Sequence, residues 1–143
     1  MNDDDLAELS LTDLGRAIAR HAVSPVDVVR AALTRIERDD RVLNAYVTVC
    51  REQTLRDAET AEREIGRGDY RGPLHGVPVS VKDLFALNGA RTTAGSRILA
   101  DFTAADDAAV VRRLRAAGAI IVGKTNMLEF AYGEVHPDYG PCR

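Results

Sequence analysis

The chain has 143 residues, 45% of them apolar, 5% aromatic and none tryptophan, enough for one domain, or a piece of one, with an aliphatic, alanine-rich core. Its net charge of −3 comes from interspersed signs, which excludes an electrostatic footprint for direct nucleic acid binding or for an anionic membrane. The M-N-D-D-D start leads into no apolar segment, no stretch approaches the length of a membrane span, and Cys50 and Cys142 match no zinc spacing; a soluble protein in the reducing cytoplasm is expected.

The first third has helical texture. Ser10 and Thr12 are candidate caps for a short helix through Arg20, with Leu14, Ala17 and Ile18 on one face. Ser24-Pro25 is a stronger start signal, a serine N-cap with proline at the first helical position. Val26, Val29, Leu33 and Ile36 then recur at helical spacing, and Asp39-Asp40 closes the element. Asn44 to Cys50 alternates and is β-branched, which predicts a short strand. Glu52 to Ile65 is a charged amphipathic helix ended by Gly66-Arg67-Gly68.

From Gly72 onward glycine and proline become frequent. Val77 to Val81 predicts a strand, Asn88 to Ser96 a small-residue loop, and Thr103 to Ala117 a helix with Gly118 just past its end. Ala119 to Val122 predicts a buried strand and Asn126 to Tyr132 another helical turn. The alternation gives an α/β fold class: a helical N-terminal lead over 1–70, then from 71 to 143 the start of an α/β core with a largely parallel sheet covered by helices.

Gly118 to Thr125, G-A-I-I-V-G-K-T, satisfies the P-loop pattern G-x-x-x-x-G-K-S/T. A true P-loop needs a strand before its first glycine and free backbone N–H groups to cradle phosphate. Here a helix comes first, and Ala119 to Val122 favour a strand whose N–H groups enter a ladder. A helix–glycine–strand unit is therefore expected instead. Lys82 stands out differently. It ends the strand V-P-V-S-V, on the side opposite Val77, Val79 and Val81, and a sheet buried on both faces would enclose it. A buried lysine is driven toward its neutral form and can act as a base. Thr92 to Ser96 has the texture of a turn, and His21, His75 and His136 are scattered without metal-ligand spacing. Asp106 and Asp107 fit a helix start, and Glu129 the polar face of a helical turn.

Taken in order, G-P-L-H-G-V-P-V-S-V-K-D (72–83), T-T-A-G-S (92–96) and D-D-A-A-V-V-R-R-L-R-A-A-G-A-I-I-V-G-K-T-N-M-L-E-F-A (106–131) resemble the amidase signature family. The lead segments S-P-V-D-V-V (24–29) and L-N-A-Y-V-T (43–48) are similar too, so the likeness covers nearly the whole chain. The resemblance implies a mixed, largely parallel sheet and hydrolysis or transfer of a carboxamide nitrogen through a Ser–cis-Ser–Lys triad. Lys82 corresponds to the triad lysine, taking a proton from the bridging serine, which activates the nucleophile.

The family's bridging serine lies in a segment like G-G-S-S-G, which these 143 residues do not contain, and Ser80 and Ser96 align with neither catalytic serine. The resemblance therefore implies the N-terminal portion of one amidase domain spanning 1–143, inactive alone. It implies no metal and no organic cofactor, and a small-molecule amide as substrate of the full-length parent. Further partners would be a homo-oligomer copy or the partner subunits of a tRNA-dependent amidotransferase, whose A subunit is one family branch. It assigns no substrate-binding residues. Exposed strand edges and self-association are expected of such a piece. The competing readings are a non-catalytic interaction module built on this fold and, less favoured, a P-loop nucleotide binder.

Overall fold

A computed structural model describes residues 3–143. It opens with a short helix, α1 (Asp3–Glu8), and continues with α2 (Leu11–Ala19) and α3 (Pro25–Leu43). Both longer helices start where local chemistry says they should. Ser10 Oγ accepts from the Asp13 N–H at 3.1 Å, and Ser24 Oγ from the Val26 N–H at 3.0 Å, relieving donors that the first turn leaves unpaired. Asp39-Asp40 does not end α3. Asp40 Oδ1 instead reaches past the helix end to accept from the N–H groups of Ala45 (2.6 Å) and Tyr46 (3.1 Å). The chain turns at Asn44, which is left-handed at φ 50°.

Strand β1 (Tyr46–Val49) and helix α4 (Arg51–Gly66) follow, then β2 (Pro78–Lys82), α5 (Ala109–Ala116) and β3 (Ile120–Thr125). The sheet is mixed, in the order β1-β3-β2. β2 lies parallel to β3, with Pro78 opposite Ile120 and Lys82 opposite Thr125, whereas β1 runs antiparallel to β3. β3 is thus central although it follows the other two in sequence, and both its faces are covered. On one face Ile120 and Val122 pack against Val26, Val29, Leu33, Ala58 and Ala61 of α3 and α4. On the other, Ile121 meets Val81, Leu87 and Val111 of α5. An unbroken apolar run suits a strand buried on both sides. Thr54, fully buried on α4, places Oγ1 3.1 Å from the Ile121 carbonyl and 2.7 Å from that of Cys50.

Two expected helices are shorter than the pattern implies. α5 begins at Ala109 rather than Thr103 because the preceding residues are engaged elsewhere. Thr103 bridges Arg91, the Ala104 N–H donates to Ala90, the Ala108 N–H donates to Ala86, and Asp107 Oδ1 accepts from the Asn88 N–H at 2.7 Å. After β3 only a 3₁₀ turn forms (Glu129–Ala131), with Phe130 and Ala131 both left-handed. No helix among the described residues is long and apolar enough to cross a membrane.

His75 sits in the turn before β2 and is not isolated there, being buried against Glu64 of α4 and Gly118 after α5. The Arg71 N–H donates to its Nδ1 at 3.1 Å, so the proton sits on Nε2, which faces Glu64 Oε2 at 3.0 Å. A Cβ on Gly118 would lie 2.5 Å from the imidazole ring, so glycine is required where α5 turns into β3. Burial, the leading cause, holds the His75 pKa below its ordinary 6.5; Glu64 pulls it back up and Arg71 opposes that. The unfolded chain therefore takes up this proton first. The stability His75 contributes is complete above about pH 6.5 and is lost as pH falls toward its depressed native value. The urea midpoint should decline between pH 7.5 and 5, and in His75→Gln that decline should be shallower; equal slopes would refute the assignment.

The outer edges of β1 and β2 have no strand partner among the described residues. Size-exclusion chromatography at rising concentration should show self-association, as expected of open edges. A sharp monomer peak with cooperative melting would contradict it.

Candidate active site at the carboxyl ends of β2 and β3

Parallel strands deliver their loops to one end of a sheet, and ligand sites in open α/β folds collect there. In this chain that end holds both lysines of a sequence that otherwise uses arginine, Lys82 and Lys124. Seventeen of its nineteen strong bases are arginines. A lysine differs from an arginine in being able to lose its proton when its surroundings favour it.

The two lysines occupy opposite environments. Lys82, expected in the interior, is exposed. The residue enclosed is Lys124, with 0% of its side chain accessible. The expectation fails because strand alternation shows which residues share a side but not which side is covered. Here the alternation sends Asp83 inward and Lys82 out.

Lys124 is surrounded by three oxygens. Its Nζ donates to Thr92 Oγ1 at 2.7 Å and to the Arg91 carbonyl at 3.4 Å, and it forms an ion pair with Asp83 Oδ1 at 2.9 Å, an oxygen that receives no hydrogen bond. Asp83, also 0% accessible, turns its other oxygen to Thr93, accepting from both the N–H (3.0 Å) and Oγ1. The Asp83 backbone is pinned as well: its N–H donates to Thr125 O at 3.0 Å, and its carbonyl accepts from the Ala94 N–H at 3.1 Å. T-T-A-G-S is thus more than a turn. It closes over the ion pair, with Ala94 and Gly95 left-handed, and a Cβ on Gly95 would lie 2.7 Å from the Met127 carbonyl. Across that contact the Phe130 N–H donates to the Ala94 carbonyl at 2.8 Å, joining the loops that leave β2 and β3.

Each part of the P-loop-like segment has a structural cause. Gly118 is left-handed beside His75. Gly123 lies where a Cβ would run into the Thr48 carbonyl of β1. The register of β2 on β3 shifts between Val79 and Ser80, so that Val81, not Lys82, faces Lys124. Such an irregularity re-aims side chains, and here it turns Lys124 toward Asp83. Residues 120–125 form a strand, not a phosphate cradle.

Several other candidate side chains have structural partners. Ser80 Oγ lies 2.5 Å from Tyr46 Oη, and Ser96 Oγ accepts from the Ile98 N–H at 3.3 Å. Asp107 also pairs with Arg115 at 3.1 Å. The segments leaving β2 and β3 expose apolar side chains: Leu84, Phe85, Leu128, Phe130 and Tyr132. Among the described residues no group of three or more His, Cys, Asp or Glu is arranged to hold a metal ion.

A family model described as Amidase matches residues 27–142. The chain belongs to the amidase family. Over 140 residues it is 46% identical to the glutamyl-tRNA(Gln) amidotransferase A subunit of Anaeromyxobacter dehalogenans strain 2CP-C, covering 96% of this chain and 28% of that protein. It is 44% identical over 137 residues to the putative amidase AmiD of Mycobacterium tuberculosis strain H37Rv, covering 96% and 29%. The native peptide amidase from Stenotrophomonas maltophilia superposes with a TM-score of 0.83 at 38% identity, over 88% of this chain and 26% of that one. The family fold is shared, and this amidase-family chain spans less than a third of the length of these relatives. The sequence singles out Lys82 and draws no attention to the buried pair of Lys124 and Asp83; the scarcity of lysine is the one available signal for Lys124.

The geometry predicts a large difference in amine reactivity. Reductive methylation of the native chain, read by peptide mass spectrometry, should modify Lys82 at least about tenfold faster than Lys124, since modification of a buried amine requires local opening. In denaturant the difference should vanish. Equal native rates would contradict the burial of Lys124.

Proposed function

We propose that this chain is the lysine-bearing, N-terminal portion of an amidase domain that hydrolyses or transfers a carboxamide nitrogen, with Lys82 as the base of a Ser–cis-Ser–Lys triad. The observation that carries the reading is the placement of Lys82: a lysine projecting from the carboxyl end of the parallel pair, on a backbone pinned on both sides. Family membership and the match to an amidase and an amidotransferase component support it.

In this reading the Lys82 amine takes a proton from the bridging serine hydroxyl, which takes one from the nucleophilic serine as that oxygen attacks the amide carbon. The C–N bond breaks as the nitrogen leaves with a proton. Water then resolves the acyl-enzyme ester, and in a transferase the released nitrogen passes to an acceptor. Both serines belong to polypeptide outside these 143 residues. A lysine serves as base near neutral pH once burial disfavours its charged form. Lys82 is exposed here, so its burial has to come from polypeptide seated on the apolar strand ends. The isolated chain is accordingly proposed to be inactive. Amidotransferase partner subunits are the proposed partners if the parent is of the A-subunit type, and a cytoplasmic setting suits two free cysteines.

The test is a chimera in which this chain replaces the matching N-terminal part of the Mycobacterium tuberculosis AmiD relative. It should release ammonia from simple carboxamides, and Lys82→Ala should lower kcat by about 10²–10⁴-fold, the usual contribution of a positioned acid or base. The 143-residue chain alone should show no turnover. Full activity in the Lys82→Ala chimera would reject the base assignment and favour a non-catalytic interaction module.

A further inference from the structure

Lys124 is unused by the proposed chemistry, yet it is one of only two lysines in the chain and the largest fully buried side chain among the described residues. We propose that Lys124 is a positioning residue for Lys82, which it orients through Asp83 without touching any reacting group. The inference rests on the reading of Lys82 as the base.

Neighbouring side chains along a strand point to opposite faces, and a slip of one residue exchanges them. β2 ends in Val81-Lys82 and leads directly into Asp83, three residues whose placements are coupled. If Asp83 is inside, Lys82 is outside; a one-residue slip would bury Lys82 among the loops and release Asp83 to solvent. The apolar residues of β2 specify this register incompletely, because only Val81 is buried while Pro78 and Val79 are partly so. A fully buried carboxylate specifies it strongly, since it is tolerable only beside a buried cation. Lys124 supplies that cation at 2.9 Å, from the strand position opposite Val81. Buried polar groups are known to fix register in some proteins, and the proposal gives this pair the same role.

The same pair also fixes the wall beside Lys82. Lys124 holds Thr92 and Arg91, Asp83 holds Thr93 and Ala94, and Gly95 N–H closes on Thr93 Oγ1 at 3.1 Å. The direction of Lys82 and the path of the loop next to it therefore have one common determinant.

The test needs no enzymatic activity. Lys82, Lys124 and the N-terminus supply the chain's primary amines, so ¹³C-methylation followed by NMR gives a resolved signal for Lys82. In Lys124→Met that signal should shift and split, and hydrogen-exchange protection of the Thr93 and Ala94 amides should fall at least about tenfold. Val111→Ala, a destabilising change in the core cluster that holds Val81 but neither member of the pair, should displace the Lys82 signal far less. If Lys124→Met does not fold, Asp83→Asn decides, because it keeps the carboxylate's shape and removes its charge. A displaced Lys82 signal in folded Asp83→Asn supports the proposal.

Unchanged Lys82 signal and loop protection in a folded Lys124→Met or Asp83→Asn would overturn it. So would an equal displacement in Val111→Ala, or an unfolded Asp83→Asn, either of which marks the pair as purely structural. Failure of the base reading shows elsewhere, as an active Lys82→Ala chimera, and would leave these signals untouched.

Discussion

A carboxylate and an ammonium group, both withdrawn from water at Asp83 and Lys124, set the terms for the rest of this structure. Removing either partner from such a pair typically costs about 3–5 kcal/mol, a large share of the roughly 5–15 kcal/mol that holds a typical domain folded. The pair survives because each charge faces the other and has further partners: Thr92 and the Arg91 carbonyl accept from the ammonium, and Thr93 donates to the carboxylate's second oxygen, while Oδ1 is held by the ion pair alone. Its backbone neighbours then inherit a fixed geometry. The β2–β3 register, the left-handed path through Ala94 and Gly95 and the contact with the loop after β3 all follow from where those two charges must sit.

What can be read in the sequence follows the range of the interactions concerned. Ser24-Pro25 announces α3 because a cap and its N–H donors lie within three residues of one another. The apolar run Ala119 to Val122 announces a two-sided burial for the same local reason. Asp39-Asp40 misleads because Asp40 has partners beyond the helix, at Ala45 and Tyr46, that no periodicity encodes. Thr103 to Asp107 has a helical pattern but is claimed by loop contacts with residues 86–91. His75 finds its carboxylate on α4, eleven residues away, which spacing alone does not reveal.

The site shows the same division more sharply. Alternation along V-S-V-K-D is legible, so the separation of Lys82 from its neighbours is correct; the identity of the covered side is not, so the expected burial is wrong. The P-loop look-alike fails on context, yet dismissing it on that ground also hides its lysine. Both of its glycines answer to close approaches, one to His75 and one to the Thr48 carbonyl, so the motif arises from packing rather than from phosphate binding. A matching string is informative only when the same residues need the same surroundings.

Of the three described strands, the central one is synthesised last. Tyr46 and Thr125 have to meet across roughly 80 residues of intervening chain, a separation that slows folding. While a ribosome is still making residues before Ile120, β1 and β2 lack their shared neighbour, and the inward faces of α3 and α4 lack the strand that covers them. Helices form early on such a nascent chain, but this sheet can only condense in one late step. An order of strands that places the shared neighbour after both strands it joins thus leaves a long interval in which apolar helix faces are open to chaperones or to other nascent copies, a hazard set by topology and not by any single residue.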